Sequence, residues 1–317
     1  MTTANTNRLA YQKAICYSGF REGQSPITGI FPSYDEVRED LYILEKEWKY
    51  IRLYDSDQLS ETVLEIIKSD ELDLKVMLGA HIAAEMNNFN CPWGGGIYSD
   101  EELEKNKKSN LKRIIKLIEL ANQYPNEIIS LSAGNEACVD WTDHYVPVNQ
   151  VINYVKMIQA GTQQPVTFCD NYLPWHDKLK NLVEVVDFIS IHTYPVWEYK
   201  HIHEAMEYTK ENYYSIAEKY PHKQVVITEA GWATNSNGRG IEAHNVSEDH
   251  QAIYYHNLME WSQKEGIITF VFEAFDEPWK GSQHPLEPEK HWGLFAVDRK
   301  PKKVVEVIFS DLPSTKS

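Results

Sequence analysis

Three observations predict an α/β fold, a single-domain (β/α)8 TIM barrel. Eight short runs are rich in Val, Ile, Phe and Tyr, amphipathic stretches lie between them, and no linker divides the chain. A length of 317 residues suits one such barrel, which takes about 250 residues or more. The domain is expected to fill 1–317, with a core over roughly 14–309 and short polar tails.

In chain order the strand candidates are 14–20, 49–54, 74–79, 128–134, 165–170, 186–192, 224–229 and 267–273. Side chains branched at Cβ and aromatic ones pack well on a pleated surface, which is why these runs read as strands. In 100–122, Leu111, Ile114, Ile115, Ile118 and Ala121 recur at three- and four-residue spacing and predict one buried helical face. Ser33 precedes Glu36 by three and Ser99 precedes Glu102 by three. Each pair predicts a capping box, serine oxygen and glutamate satisfying otherwise free backbone donors at a helix start. A doubly wound sheet would more often carry a glycine-rich phosphate loop after an early strand. Gly94-Gly95-Gly96 follows the third strand without the remaining spacing or helix onset, and reads as a flexible loop.

Charge narrows the partners. Thirty-one Lys and Arg stand against 47 Asp and Glu, a formal charge of −16. Binding nucleic acid or anionic lipid depends on neutralising phosphate with basic side chains, so both are set aside and a neutral substrate is favoured. Apolar runs fall short of the about 20 residues a bilayer span needs. Residues 1–10 are polar and lack the apolar middle of a secretory signal. A secreted, periplasmic or cell-surface protein with its leader removed is expected, a cytoplasmic one being left open. Cys16, Cys91, Cys138 and Cys169 are widely spaced, form no CxxC, and read as buried free thiols.

In a barrel of this kind, chemistry gathers at the carboxyl ends of the strands. Strand one ends near Tyr17, and strand two ends with Arg52, Tyr54 and Asp55. Strand four ends Gly134-Asn135-Glu136, strand six His192-Thr193-Tyr194, and strand seven Thr228-Glu229-Ala230-Gly231-Trp232. Strand eight runs into Glu273, Asp276, Glu277 and Trp279. Alternation puts Ser130, Ser132, Gly134 and Glu136 on the inner side of strand four, with Ile129, Leu131 and Ala133 against the helices. Glu136 and Glu229 would then face each other across a small mouth. Such a pair can cleave a glycosidic bond, one carboxyl protonating the leaving oxygen while the other attacks or activates water. Retention needs about 5–5.5 Å between them and inversion roughly 6.5–9.5 Å.

Seven of the nine Trp (Trp93, Trp141, Trp175, Trp197, Trp232, Trp279 and Trp292) follow strand candidates. Flat aromatic faces match the C–H faces of pyranose rings, so these are candidate sugar platforms, Trp141 and Trp232 among them. His192 is read as an inward strand-end residue supporting the site, a satisfied core histidine being the other reading. His201 and His203 sit two apart at a helix start, where they would not share a face, and HExxH is absent; no metal site is expected. No GxSxG elbow offers a serine nucleophile. Asn245-Val246-Ser247 fits the short glycosylation pattern.

The motifs Gly134-Asn135-Glu136, Thr228-Glu229-Ala230-Gly231-Trp232 and Phe272 to Gly281, with Gly293-Leu294-Phe295 and Asp298-Arg299-Lys300-Pro301, resemble glycoside hydrolase family 17, the β-1,3-glucanases. Cys16-Tyr17 and Ile51-Arg52-Leu53-Tyr54 look like that family's first two strands. The resemblance implies that Glu136 is the acid/base and Glu229 the nucleophile of a retaining laminarinase-type endo-β-1,3-glucanase. It implies that Asn135 holds the sugar 2-hydroxyl and that Tyr194 lies by the nucleophile. Glu273 and Lys280 would join the surrounding charge network, and Trp279 would touch a sugar. Tyr17, Arg52, Asp55, Trp141, His192 and Trp232 complete the expected substrate-binding set. No cofactor is implied, the partner is a neutral β-glucan, and a monomer suffices. Rival readings are a β-1,3-glucan transglycosylase or exo-glucanase on the same scaffold, a non-catalytic glucan-binding barrel, and a barrel isomerase for phosphorylated sugars. The acidic balance and the missing phosphate loop weigh against the isomerase.

Overall fold

The computed structural model describes residues 8–92 and 94–310. Eight parallel strands close into a barrel in chain order: β1 Ala14–Cys16, β2 Tyr50–Leu53, β3 Lys75–Gly79, β4 Ile128–Asn135, β5 Val166–Asn171, β6 Ile189–His192, β7 Val225–Ala230 and β8 Thr269–Val271. Closure comes from β8, which pairs β1 through Phe270 and Val271. Eight helices ring the barrel: α1 Tyr34–Leu44, α2 Gln58–Ser69, α3 Asp100–Gln123, α4 Val148–Gly161, α5 Lys180–Val183, α6 Ala205–Ala217, α7 Glu248–Glu265 and α8 Lys303–Ser310. This is the predicted (β/α)8 architecture.

All eight strand candidates are present, but β1 and β8 are shorter than their apolar runs. Beyond Cys16 the ladder continues only as single bonds, Tyr17 N–H to Arg52 O and Ala274 N–H to Cys16 O. The Phe272–Glu273 peptide, where β8 was expected to run on, is cis. Both capping boxes form, with Ser33 accepting from the Glu36 N–H and Ser99 from the Glu102 N–H. The expected buried face of α3 is only partly right. Ile114 and Ala121 are buried together with Asn110, Leu117 and Leu120, while Leu111 and Ile115 are exposed. A helix of this length covers the barrel along a narrower stripe than its apolar residues alone mark out.

Beneath the mouth the barrel interior is small and polar. Ser132 Oγ lies 3.3 Å from Cys169 Sγ, and Thr167 Oγ1 donates to Ser190 Oγ at 3.0 Å. Leu131 and Ala133 point the other way, into the strand–helix layer. Cys16, Cys138 and Cys169 are buried free thiols as expected, whereas Cys91 is half-buried.

Candidate active site

Glu229 sits on β7, in register with His192 of β6. Arg52 of β2 and Tyr54 just past it reach across the barrel, Arg52 Nη1 to Glu229 Oε1 at 2.6 Å and Tyr54 Oη to the same oxygen at 2.9 Å. Tyr194 Oη donates to the other oxygen at 2.6 Å. Only 5% of Glu229 is exposed, and burial opposes its charge. His192, Arg52 and the hydrogen bond from Tyr194 outweigh that penalty and pull the carboxyl down to about 2. Glu229 is held ionised.

Glu136 reaches the mouth by a route that alternation does not describe. Gly134 has φ +127°, β4 shifts register against β5 between Ser132 and Asn135, and Glu136 itself has φ +47°. A φ of +127° is strained for any residue with a Cβ, so glycine is required at this bend, where a Cβ would also press on the Ile82 side chain. The bend turns both Asn135 and Glu136 toward the mouth: Asn135 Oδ1 accepts from Arg52 Nη2, and Glu136 Oε1 lies 2.7 Å from His192 Nδ1. Carboxylate oxygens of Glu136 and Glu229 and a ring nitrogen of His192 all lie within 4.8 Å of one another. Two carboxylates and one imidazole are a conceivable metal set. Here Arg52 and two tyrosine hydroxyls already engage both oxygens of Glu229, and a guanidinium beside the site repels a second cation.

A model of the BtgE/BtgC glycoside hydrolase domain matches residues 14–293. The chain belongs to the BtgE/BtgC glycoside hydrolase family. It is the family 17 type that the strand-end motifs pointed to. A glucan 1,3-β-glucosidase of Arthroderma benhamiae is 30% identical over 132 residues, 37% of this chain and 41% of that protein. The chain spans about two fifths of the length of the curated relatives it matches first. Among solved structures, an endo-laminarinase from Formosa has a TM-score of 0.80 at 25% identity, covering 96% of this chain and 89% of its own. A family 17 β-1,3-glucanosyltransferase from Rhizomucor miehei shares the fold, with a TM-score of 0.68 at 22% identity over 92% of this chain and 95% of its own.

Within this BtgE/BtgC-type barrel, the strand-eight residues form the expected charge network. Lys280 Nζ donates to Glu273 Oε2 at 2.9 Å and also pairs with Glu277. Glu277 further accepts from Ser18 and from Trp279 Nε1. Burial first, then the charge of Glu277, pushes the Glu273 carboxyl well above its usual range against the pull of Lys280. Trp279 and Trp141 are half-buried on loops of the mouth face.

Several expected contacts are structural instead. Tyr17 is buried and donates to Asp40 Oδ2 at 3.0 Å, packed edge-on against Phe275. Asp55 accepts the backbone N–H of Ser56 at 2.9 Å and of His81 at 3.0 Å, and faces Arg113. Through Oδ1 it ties two loops together, while its side chain stays partly exposed. Trp232 is 1% exposed and its Nε1 donates to Asn245 O at 3.0 Å, so it anchors the loop after β7. Trp175 and Trp292 are equally buried, leaving Trp141, Trp197 and Trp279 as half-exposed aromatics of the set; Trp93 lies outside the described residues. Loops packed this tightly over a barrel need large apolar anchors, which explains why position after a strand did not mean exposure. Asn245 is 2% exposed and its amide donates to Lys200 O, so it is no accessible glycosylation acceptor.

Two groups were given no role by the sequence reading. Tyr54 stands at a strand end, and its position beside Arg52 was the available signal. Glu289 lies in a single 3-10 turn, Pro288–Lys290, within the long β8–α8 connection, too short for periodicity to mark it. Burial raises its carboxyl to about 7 against Lys280, with the charges of Glu136 and Glu229 adding to the rise. Beside the site, Gly231 lets β7 approach the Phe272 backbone, since a Cβ there would meet Phe272 O at 2.0 Å.

Proposed function

We propose that this chain is a retaining endo-hydrolase of laminarin-type β-1,3-glucan, acting by double displacement. Glu136 donates its proton to the leaving glycosidic oxygen while Glu229 attacks the anomeric carbon. The bond to the leaving sugar breaks as the glycosyl–Glu229 ester forms. Glu136, now ionised, takes a proton from water, whose oxygen displaces Glu229 from the same carbon. Asn135 is placed by Arg52 to hold the sugar 2-hydroxyl. One observation carries the reading: Glu136 and Glu229 bring carboxylate oxygens within 4.8 Å of each other, which favours the closer, retaining arrangement over the wider inverting one. The substrate class rests on the family and on the names of its curated relatives and of the endo-laminarinase and glucanosyltransferase structures, which refer to β-1,3-glucan or laminarin. Glucan polymers do not enter cells unaided, so a secreted, periplasmic or cell-surface monomer is proposed; no helix among the described residues is long and apolar enough to cross a membrane.

The test is laminarin digestion with product sizing over time, in the wild type and in Glu229→Gln. Rapid loss of chain length with retained anomeric configuration, and a fall of at least about 10³-fold in the variant, supports the proposal. Products longer than the starting oligosaccharide would assign transfer instead, and binding without any cleavage would assign a glucan-binding barrel.

A further inference from the structure

Away from the catalytic carboxylates, a second cluster of ligating side chains lies on the mouth face. His201 and His203 precede α6 in the connection from β6, while Glu242 and His244 belong to the long connection from β7 to α7. They were expected to diverge on a helix. Instead they occupy a turn before α6, and the rings of His201 and His203 stack with centroids 5.8 Å apart at 2°. His201 also faces His244, at 5.7 Å between centroids. Ligand atoms of His201, Glu242 and His244 all lie within 4.8 Å of one another, and His244 Nε2 is 3.6 Å from Glu242 Oε2.

We propose that His201, Glu242 and His244 form a binding site for a zinc-class divalent transition-metal cation that fastens the β6–α6 connection to the β7–α7 connection. His203 or water fills the fourth position. Imidazole and carboxylate donors suit Zn²⁺, Ni²⁺ or Cu²⁺ and not the all-oxygen shells of Ca²⁺ or Mg²⁺. Tetrahedral ligands at about 2.0–2.1 Å from zinc stand roughly 3.4 Å apart, close to the spacing that His244 and Glu242 already have. Rotation of exposed side chains supplies the remaining closure.

The backbone beneath the cluster is fixed independently of any ion. Buried Asn245 donates its amide to Lys200 O at 2.8 Å, linking the residue after His244 to the residue before His201. Its own carbonyl accepts from Trp232 Nε1 at 3.0 Å and from His250 Nδ1 at 2.9 Å. The ligands are therefore displayed from two clamped loops, the preorganisation a metal site needs. Among the described residues, Glu242 has no ion pair except with His244, so no lysine or arginine competes for it. The other close histidine pair, His81 and His144, is unlike this one. His144 has Nδ1 against Asp143 and Thr142 and Nε2 against Asn135 O, which leaves no free ring nitrogen.

The test uses tag-free, chelator-stripped full-length protein, titrated calorimetrically with Zn²⁺ and melted with and without it. One equivalent should bind and raise Tm, since an ion that binds only the folded chain stabilises it. His244→Ala and Glu242→Gln should each weaken Zn²⁺ binding by at least about tenfold and abolish the Tm rise. His222→Ala, at an exposed histidine elsewhere, should change neither. All three residues are exposed, and a metal-free melt unchanged from wild type shows that each variant folds. Absence of saturable binding below millimolar Zn²⁺ overturns the site. So does binding that survives both ligand variants, and binding removed only by Glu136→Gln, which would place the ion between the catalytic carboxylates.

Discussion

His192 Nδ1 lies 2.7 Å from Glu136 Oε1. The same nitrogen is 3.4 Å from Glu229 Oε2, so one fully buried imidazole stands between Glu136 and Glu229. Burial opposes its charge, but Glu229, Cys169 and Glu136 together push its pKa up to about 10. These neighbours favour the protonated imidazole, and its charge is the first influence that draws the Glu229 carboxyl down against burial.

His192→Asn removes that cation and keeps a side chain of similar reach. Without it the Glu229 carboxyl must rise from its depressed value, so the acid limb of kcat/KM shifts to higher pH. Turnover at the optimum should fall about 10²-fold as the two glutamates lose their shared positioning group. A pH–rate profile on laminari-oligosaccharides checks both, and an acid limb that stays in place would deny His192 this influence.

Glu229 links catalysis to acid stability. Its folded pKa of about 2 lies below the about 4.3 of an unfolded glutamate, so its contribution is present above pH about 4.3 and is lost as pH falls toward 2. Glu229→Gln should therefore be less stable than wild type at pH 7, with buried Arg52 and His192 left facing a neutral amide, and should lose less stability on acidification through that window. Urea midpoints measured across the acid range give the comparison, and parallel curves for the two proteins would contradict it.

The barrel and the meeting of Glu136 with Glu229 at its mouth were legible because both are written in local pattern: β-rich runs at regular intervals, and acidic residues where those runs end. Glu136 was placed correctly at the mouth, yet alternation alone is not what puts it there. The turn at Gly134 and the left-handed φ of Glu136 do so. Tyr17 and Trp232 were misread because a polar tip near a strand end can serve another loop as easily as a sugar, and only the partner decides. For Tyr17 that partner is Asp40, 23 residues along the chain, and for Trp232 it is a backbone carbonyl of the following loop. Glu289 left no pattern at all, since it sits in a single 3-10 turn of a long connection whose path local sequence does not fix.

Trp232 of the β7 loop and Trp279 of the β8 loop should separate cleanly by experiment. Trp232→Phe loses a buried hydrogen bond to Asn245 O and part of a packed ring, and should lower stability by about 1–3 kcal/mol with KM for laminari-oligosaccharides nearly unchanged. Trp279→Ala, at a half-buried ring beside Lys280 and Glu277, should raise KM about tenfold with a smaller change in Tm. Paired kinetics and thermal melts decide the matter. A KM effect at Trp232 would restore it to the substrate-binding set.

Asp40 is the residue whose loss should hurt the fold most while leaving the chemistry in place. It is 0% exposed, on α1, and accepts from Arg299 Nε at 2.7 Å and Nη2 at 2.6 Å, from Tyr17 Oη at 3.0 Å and from Arg21 Nη2 at 3.1 Å. These bonds fasten α1 to the end of β1 and to the connection between β8 and α8, closing the barrel's outer layer where its first and last units meet. Asp40→Ala leaves the Arg299 guanidinium buried without its counter-charge, a situation that costs about 3–5 kcal/mol. Asp40→Asn keeps acceptors for part of the network and should cost less. Urea unfolding at neutral pH measures both, with laminarin turnover followed well below the transition. A loss under about 1 kcal/mol in Asp40→Ala would mean that water reaches Arg299 and that the closure is held by apolar packing alone.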